Sequence, residues 1–311
     1  MVRHIFTILS SLLLLGIAYS CEEPLDLEEL PQLEPKLVVI SNFAEGRAII
    51  VTVAKSRLIG NVDPEEYLTN AEVDLYWNNT FLERLEVVIP KDPNYPPYYK
   101  SWENKPVAGL EYTIKVSVDG FKPVMAKSSV PPSVKITDFD LANVVTEPVQ
   151  GGAYNRKHFS AIVDFDDPST TKNYYHLNIT QQINNYVLEG RDTLITKSML
   201  QPVLFDPLDN ENGISAHLNG GLLFEDKPGK QALGISFSVD IDPRSQLLGK
   251  TYVELRTLSR EYYLYYTSLS RSEGSNPNPL NDPVIVFENI ENGYGIFAGY
   301  SNSLDSVQFV Q

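Results

Sequence analysis

Residues 109–129 read GLEYTIKVSVDGFKPVMAKSS, and this stretch decides the fold class. Tyr112, Ile114, Val116 and Val118 alternate with Thr113, Lys115 and Ser117. A period of two predicts a strand with one buried and one wet face. Asp119-Gly120 suits a tight turn, and Phe121 to Ser129 returns as the second strand of a hairpin. Pro123 has no N–H to give to a neighbour, which places that second strand at a sheet edge.

Upstream the same grammar continues. Leu37 to Ile40 and Ala48 to Val53 are apolar runs, and Glu72 to Trp77 and Thr80 to Val88 flank Asn78-Asn79, a two-residue hairpin turn. Gly109-Leu110-Glu111-Tyr112 has the form of a tyrosine corner, in which a Tyr near the start of a late strand bonds back to nearby backbone. Residues 36–130 therefore predict an immunoglobulin-like or fibronectin-like β-sandwich, closed by the stiff Pro131-Pro132 boundary.

Residues 131–311 predict a larger second β domain. Phe159, Ala161, Val163 and Phe165 alternate with polar neighbours, as do Tyr175, Leu177 and Ile179. Leu233, Ile235, Phe237, Val239 and Ile241 alternate without a break, and Val253 and Leu255 continue the theme. The stretches 203–230 and 271–283 read as long polar loops. One helix is expected from about Ser259 to Ser270, with Ser259 as N-cap and Glu261 in the first turn. Its Tyr262, Tyr265, Tyr266 and Leu269 form a single stripe. That stripe reads first as packing on a sheet, and second as an aromatic platform for a ligand or partner. Gly293 and Gly295 bracket Tyr294 in a tight turn that leads into a final buried strand.

The N-terminus gives an address. Arg3 and His4 precede an apolar run from Ile5 to Ile17, then Ala18 and Ser20, then Cys21, the only cysteine in the chain. The run is too short for a spanning helix and reads as a signal peptide over residues 1–20. A lone cysteine at the cut makes no internal disulfide and is the expected lipidation site. Residues 21–35 carry Glu22, Glu23, Asp26, Glu28, Glu29 and Glu34 among prolines, an acidic, self-repelling tether. Net charge is −15 for the whole chain, which argues against nucleic acid as a partner.

Few residues carry a recognisable chemistry. His158 and His176 fall on the outward faces of their strands, and with His217 they make no metal-ligand spacing. Gly234-Ile235-Ser236-Phe237-Ser238 lacks the closing glycine of a nucleophile elbow. Acids cluster at Asp164, Asp166 and Asp167, and again at Asp206, Asp209 and Glu211. Oxygen-rich loops suit calcium, but neither cluster keeps the register of a calcium loop. The expectation is no cofactor other than the lipid, no metal and no catalytic residue.

The signal ending in Cys21-Glu22-Glu23 comes first. Then follow Gly109-Leu110-Glu111-Tyr112 with Val130-Pro131, Phe165-Asp166-Asp167-Pro168 with Asn173-Tyr174-Tyr175, Ser259-Arg260-Glu261-Tyr262-Tyr263, and the ending from Asn289 to Phe297. In this order the motifs resemble the Bacteroidota surface lipoprotein family called domain of unknown function 4249. The resemblance implies lipid anchoring through Cys21, with Glu22 and Glu23 as the signal for export to the exterior of the outer membrane. It also implies an accessory role beside a TonB-dependent receptor, in substrate capture or receptor contact, without enzymatic activity. Tyr262, Tyr265, Tyr266 and Tyr294 are the candidate binding aromatics. Two alternatives stand beside it: a surface glycan- or peptide-processing enzyme using carboxylates such as Asp164, Asp166 or Asp167, and a structural lipoprotein of envelope assembly.

Overall fold

A computed structural model describes residues 34–57, 64–168, 170–206, 214–218, 220–226, 229–274 and 284–308. Cys21, Glu22, Glu23, most of the tether and Asp209 lie outside the described residues. The chain divides into two units. The first, 1–35 with 57–64, contributes few described residues. The second, 36–56 with 65–311, carries every strand and helix named below.

The chain is mainly β. The first strands are β1 (Leu37–Ala44), β2 (Ile50–Lys55), β3 (Glu72–Trp77), β4 (Thr80–Arg84), β5 (Glu86–Val88), β6 (Tyr98–Lys100), β7 (Glu111–Ser117) and β8 (Val124–Ser129). There follow β9 (Ile136–Val149), β10 (Tyr154–Asp167), β11 (Tyr174–Glu189), β12 (Asp192–Pro202), β13 (Leu204–Phe205), β14 (Ile214–Leu218) and β15 (Gly221–Glu225). Last come β16 (Gly229–Ile241), β17 (Gln246–Leu258), helix α1 (Arg260–Gly274) and β18 (Tyr294–Gln308).

Local chemistry explains the elements that the sequence announced. Asn78 and Asn79 both have positive φ, 47° and 63°, which a two-residue hairpin turn requires and Asn tolerates. The turn into β8 uses Gly120 at φ 85°. Tyr112 is buried, and its hydroxyl accepts the Val107 N–H at 3.0 Å, which is the tyrosine corner in action. β8 lies at the edge of its sheet, with Pro123 just before it.

A ten-stranded sheet runs in the order β14-β15-β11-β17-β18-β1-β2-β6-β5, with β12 paired to β11. Two four-stranded sheets, β4-β3-β7-β8 and β13-β16-β10-β9, complete the architecture. Strand alternation puts both on one face of the large sheet. Leu37, Val39, Val51, Val53 and Phe297 form one core with Val73, Leu75, Ile114 and Val116. Tyr175, Leu177, Ile179, Val253 and Leu255 form another with Phe159, Val163, Leu233 and Phe237. Ala44, Leu223, Ile296, Ala298 and Tyr300 belong to the opposite face, where Tyr262 and Tyr263 of α1 cover them.

β18 joins the halves. It pairs parallel with β1, from Val38 beside Tyr294 to Ala44 beside Tyr300, so the large sheet continues across the Pro131-Pro132 boundary. Ile296, Phe297 and Ala298 are each 0% exposed, because the strand has a sheet on one face and a helix on the other. A strand buried on both faces is apolar without alternation.

Three expectations need correction. The stretch Thr80 to Val88 is not one strand: the chain crosses between sheets at Leu85, which is buried and gives its N–H to the Val73 carbonyl at 2.8 Å. The supposed loop 203–230 contains β13, β14 and β15, and Leu222, Leu223 and Phe224 are buried. They do not alternate because both faces of β15 are covered. The helix runs on to Gly274, past Ser270.

Candidate functional site

Across the large sheet, on the face that carries α1, register alignment makes polar rows. His176 of β11 lies beside Arg256 of β17, which lies beside Asn302 of β18. One step along, Asn178 lies beside Glu254. On the other side, Tyr174, Leu258 and Tyr300 make an apolar and aromatic row under the helix.

Helix α1 is set over this surface by its cap. The Ser259 hydroxyl accepts the Tyr262 N–H at 3.3 Å, and the Ser259 N–H bonds to the Gly299 carbonyl at 3.0 Å. Tyr262, Tyr263 and Thr267 are its buried line, while Tyr265 and Tyr266 sit half-buried at the margin. The predicted stripe is thus rotated by one position. Tyr263 stacks on Tyr174 with ring centroids 4.5 Å apart, and its hydroxyl bonds to Ser215 Oγ at 2.6 Å.

The geometry converges on Arg256. Its Nη2 donates to Glu254 Oε2 at 2.8 Å, its Nη1 donates to the Tyr262 hydroxyl at 3.4 Å, and its guanidinium lies 4.8 Å over the Tyr300 ring. Asn302 Nδ2 donates to the other Glu254 oxygen at 3.0 Å. Tyr262 and Tyr266 have centroids 4.7 Å apart, and Tyr266 and Tyr265 5.1 Å apart. Asn42 Nδ2 of β1 donates to the Tyr266 hydroxyl.

His176 corrects an expectation. It is 4% exposed rather than outward-facing and wet, because α1 covers that face of the sheet. Its Nδ1 lies 3.3 Å from the Tyr262 hydroxyl. Arg256 can only donate, so the Tyr262 hydroxyl accepts from it, and the imidazole tautomer sets which way the contact with Nδ1 runs. Burial, and then the nearby Arg256 charge, pull the imidazole down to about 4, with Glu254 opposing in part. Burial likewise pushes the Tyr262 and Tyr266 hydroxyls above their ordinary range. Burial opposes the charge on Arg256, but the Glu254 carboxylate outweighs it and holds the guanidinium firmly protonated. The chemistry is that of a fixed cation, planar amides and aromatic faces.

The acids of the β10 end do not converge. Asp164 and Asp166 share the outward face of β10, whereas Asp167 turns inward and is 6% exposed. The Tyr175 hydroxyl donates to Asp167, and Asn173 Nδ2 donates to the same oxygen at 3.1 Å. The Asn173 N–H donates to the Asp226 carboxylate at 2.9 Å, and the Asp226 N–H donates back to the Asn173 carbonyl at 3.1 Å. Asp167 therefore pins the connection between β10 and β11. Among the described residues, no group of three His, Cys, Asp or Glu side chains is placed to hold a metal ion.

The candidate aromatics divide. Tyr262, Tyr265 and Tyr266 come together with Tyr300, whereas Tyr294 begins β18, is 39% exposed, and has Lys36 Nζ 4.7 Å over its ring. Arg256, Glu254, Tyr300, Asn302 and Asn42 join the cluster without having been singled out from sequence, and His176 joins it although its spacing pointed to no site. One signal was available: His176 and Asn178, and Glu254 and Arg256, each stand two apart in a stretch of strand whose other face is apolar.

The family model described as Domain of unknown function (DUF4249) matches residues 22–305. No curated protein matches the chain.

Proposed function

The chain belongs to the DUF4249 family, and we propose that it is a Bacteroidota lipoprotein held by acyl chains on Cys21 at the exterior of the outer membrane. There it serves a TonB-dependent receptor as a non-enzymatic accessory, in substrate capture or receptor contact. The observation that carries this is Cys21 itself: one cysteine in 311 residues, placed directly after an apolar leader and before two glutamates. A second acyl chain makes such anchoring durable where a single chain is marginal.

The Arg256 cluster supports binding over catalysis. Arg256 stays charged and transfers no proton, His176 is neutral with Nδ1 already engaged, and the tyrosine hydroxyls ionise only far above neutrality. The one hydroxyl–imidazole contact in the cluster, between Tyr262 and His176, is buried, the two residues being 2% and 4% exposed, so it does not face a substrate from solvent. The test is affinity purification of the natively made protein from detergent-solubilised outer membrane. A TonB-dependent receptor is expected as the main co-purifying protein, and recovery of the chain with no receptor contradicts the proposal.

A further inference from the structure

Beyond Tyr186, whose N–H still reaches the Ser245 carbonyl at 2.8 Å, strand β11 leaves β17 behind, and its partner strand among the described residues is β12. The two make a ribbon with its turn at Gly190-Arg191. All of β12 is exposed except Met199, which is partly buried, and its outer edge has no partner strand among the described residues. Edge strands of soluble chains are ordinarily short, charged or covered. Here the ribbon shows Val187, Leu188, Leu194 and Ile195 at 45%, 68%, 49% and 46% exposure.

The register of the ribbon sorts these side chains. Asp192, Leu194 and Lys197 pair with Glu189, Val187 and Asn185, so they share one face. Thr193 and Ile195 pair with Leu188 and Tyr186 on the other, and Thr196 is the extra residue of a bulge between Ile195 and Lys197. Along the outer edge, Asp192 and Lys197 therefore stand two ladder steps either side of Leu194.

We propose that β12 pairs antiparallel with β12 of a second copy of this chain, about a two-fold axis through Leu194. The pattern is self-complementary. Leu194 meets its own counterpart, Thr193 meets Ile195 of the second copy, and Asp192 meets Lys197 of the second copy twice over. Opposite charges directly across an antiparallel pair stabilise it, and β-branched pairs do so too. Val187 and Leu194 of both copies then form one continuous apolar row, and the edge from Asp192 to Lys197 is covered. An isologous contact of this kind closes on itself and does not propagate. Two chains of net charge −15 repel each other at long range, but at physiological ionic strength that repulsion is screened beyond about 8 Å, whereas the facing ion pairs act at contact. This inference stands independently of the proposed receptor.

The experiment uses the full chain in its native membrane. Leu194→Cys is expected to give a disulfide-linked dimer under mild oxidation, since paired strands bring facing Cα atoms within disulfide reach. Ile285→Cys, at a position 87% exposed, is the control expected to give none. In the Leu194→Cys background, Asp192→Lys or Lys197→Asp alone places like charges opposite each other and is expected to lower the dimer yield about tenfold. The double exchange restores it. Both positions are exposed, so folding is not at issue. Absence of the Leu194→Cys dimer, cross-linking to a different protein instead, or single exchanges that leave the yield unchanged would each overturn the proposal.

Discussion

Gly295→Ala is expected to leave the chain unable to hold its native fold. Gly295 sits at φ 106°, a backbone conformation that residues with a Cβ rarely adopt. A Cβ built there would lie 2.1 Å from the Val39 carbonyl oxygen. The atom in the way is backbone, and it belongs to the β1 residue that pairs with Gly295. It cannot rotate aside as a flexible side chain would. Relief requires β1 and β18 to separate at the step that joins the two halves of the large sheet. Strain and lost pairing together should cost more than about 4 kcal/mol, a large share of the stability of an ordinary domain. Gly234→Ala is the matched control, because its Cβ would meet nothing within 4 Å. Urea unfolding followed by circular dichroism reads both. A Gly295→Ala midpoint as close to the natural chain as that of Gly234→Ala would contradict the packing described for β1 and β18.

The natural chain is also expected to lose stability as pH falls from about 6.5 to about 4, through His176. The sign follows from linkage. The folded imidazole titrates at about 4, below its ordinary value of 6.5. Between those values the unfolded chain takes up a proton that the folded chain refuses, so acid favours unfolding. The contribution is therefore complete above pH 6.5, falls through the window, and is gone below about 4. A shift of that size corresponds to stability on the order of 3 kcal/mol. Many carboxylates titrate nearby, so the comparison is with His176→Gln, which lacks this group alone. The unfolding free energy of the natural chain minus that of His176→Gln should fall, by about 3 kcal/mol in all, as pH drops from 7 to below 4. A gap that stays constant with pH would mean that His176 is not held neutral under α1.

Much of the architecture was legible because one face of most strands is wet. Tyr112 to Val118, Phe159 to Phe165 and Leu233 to Ile241 show their alternation openly, and Asn78-Asn79 and Asp119-Gly120 mark their turns. What was hidden follows from layers, since periodicity reports only whether a face is wet. β15 reads Gly-Leu-Leu-Phe-Glu and shows no period because cores lie on both its faces. His176 has the sequence context of an outward residue, and only the position of α1 turns that outward face into an interior. The Arg256 cluster draws on β1, β11, β17, α1 and β18, so its members stand far apart in the chain. Strand pairing sets them side by side, and no local spacing records that. The helix tyrosines Tyr262, Tyr265 and Tyr266 lie together as their spacing implied, but Tyr294 belongs to another place.

The most direct measurement of the proposed address is fractionation of the natural chain and of Cys21→Ala after expression in a native host. The natural chain is predicted in the outer-membrane fraction, released only by detergent. Cys21→Ala is predicted in the soluble fraction, with the melting temperature of the natural chain's folded β structure unchanged. A Cys21→Ala protein that remains in the membrane fraction would contradict anchoring through Cys21.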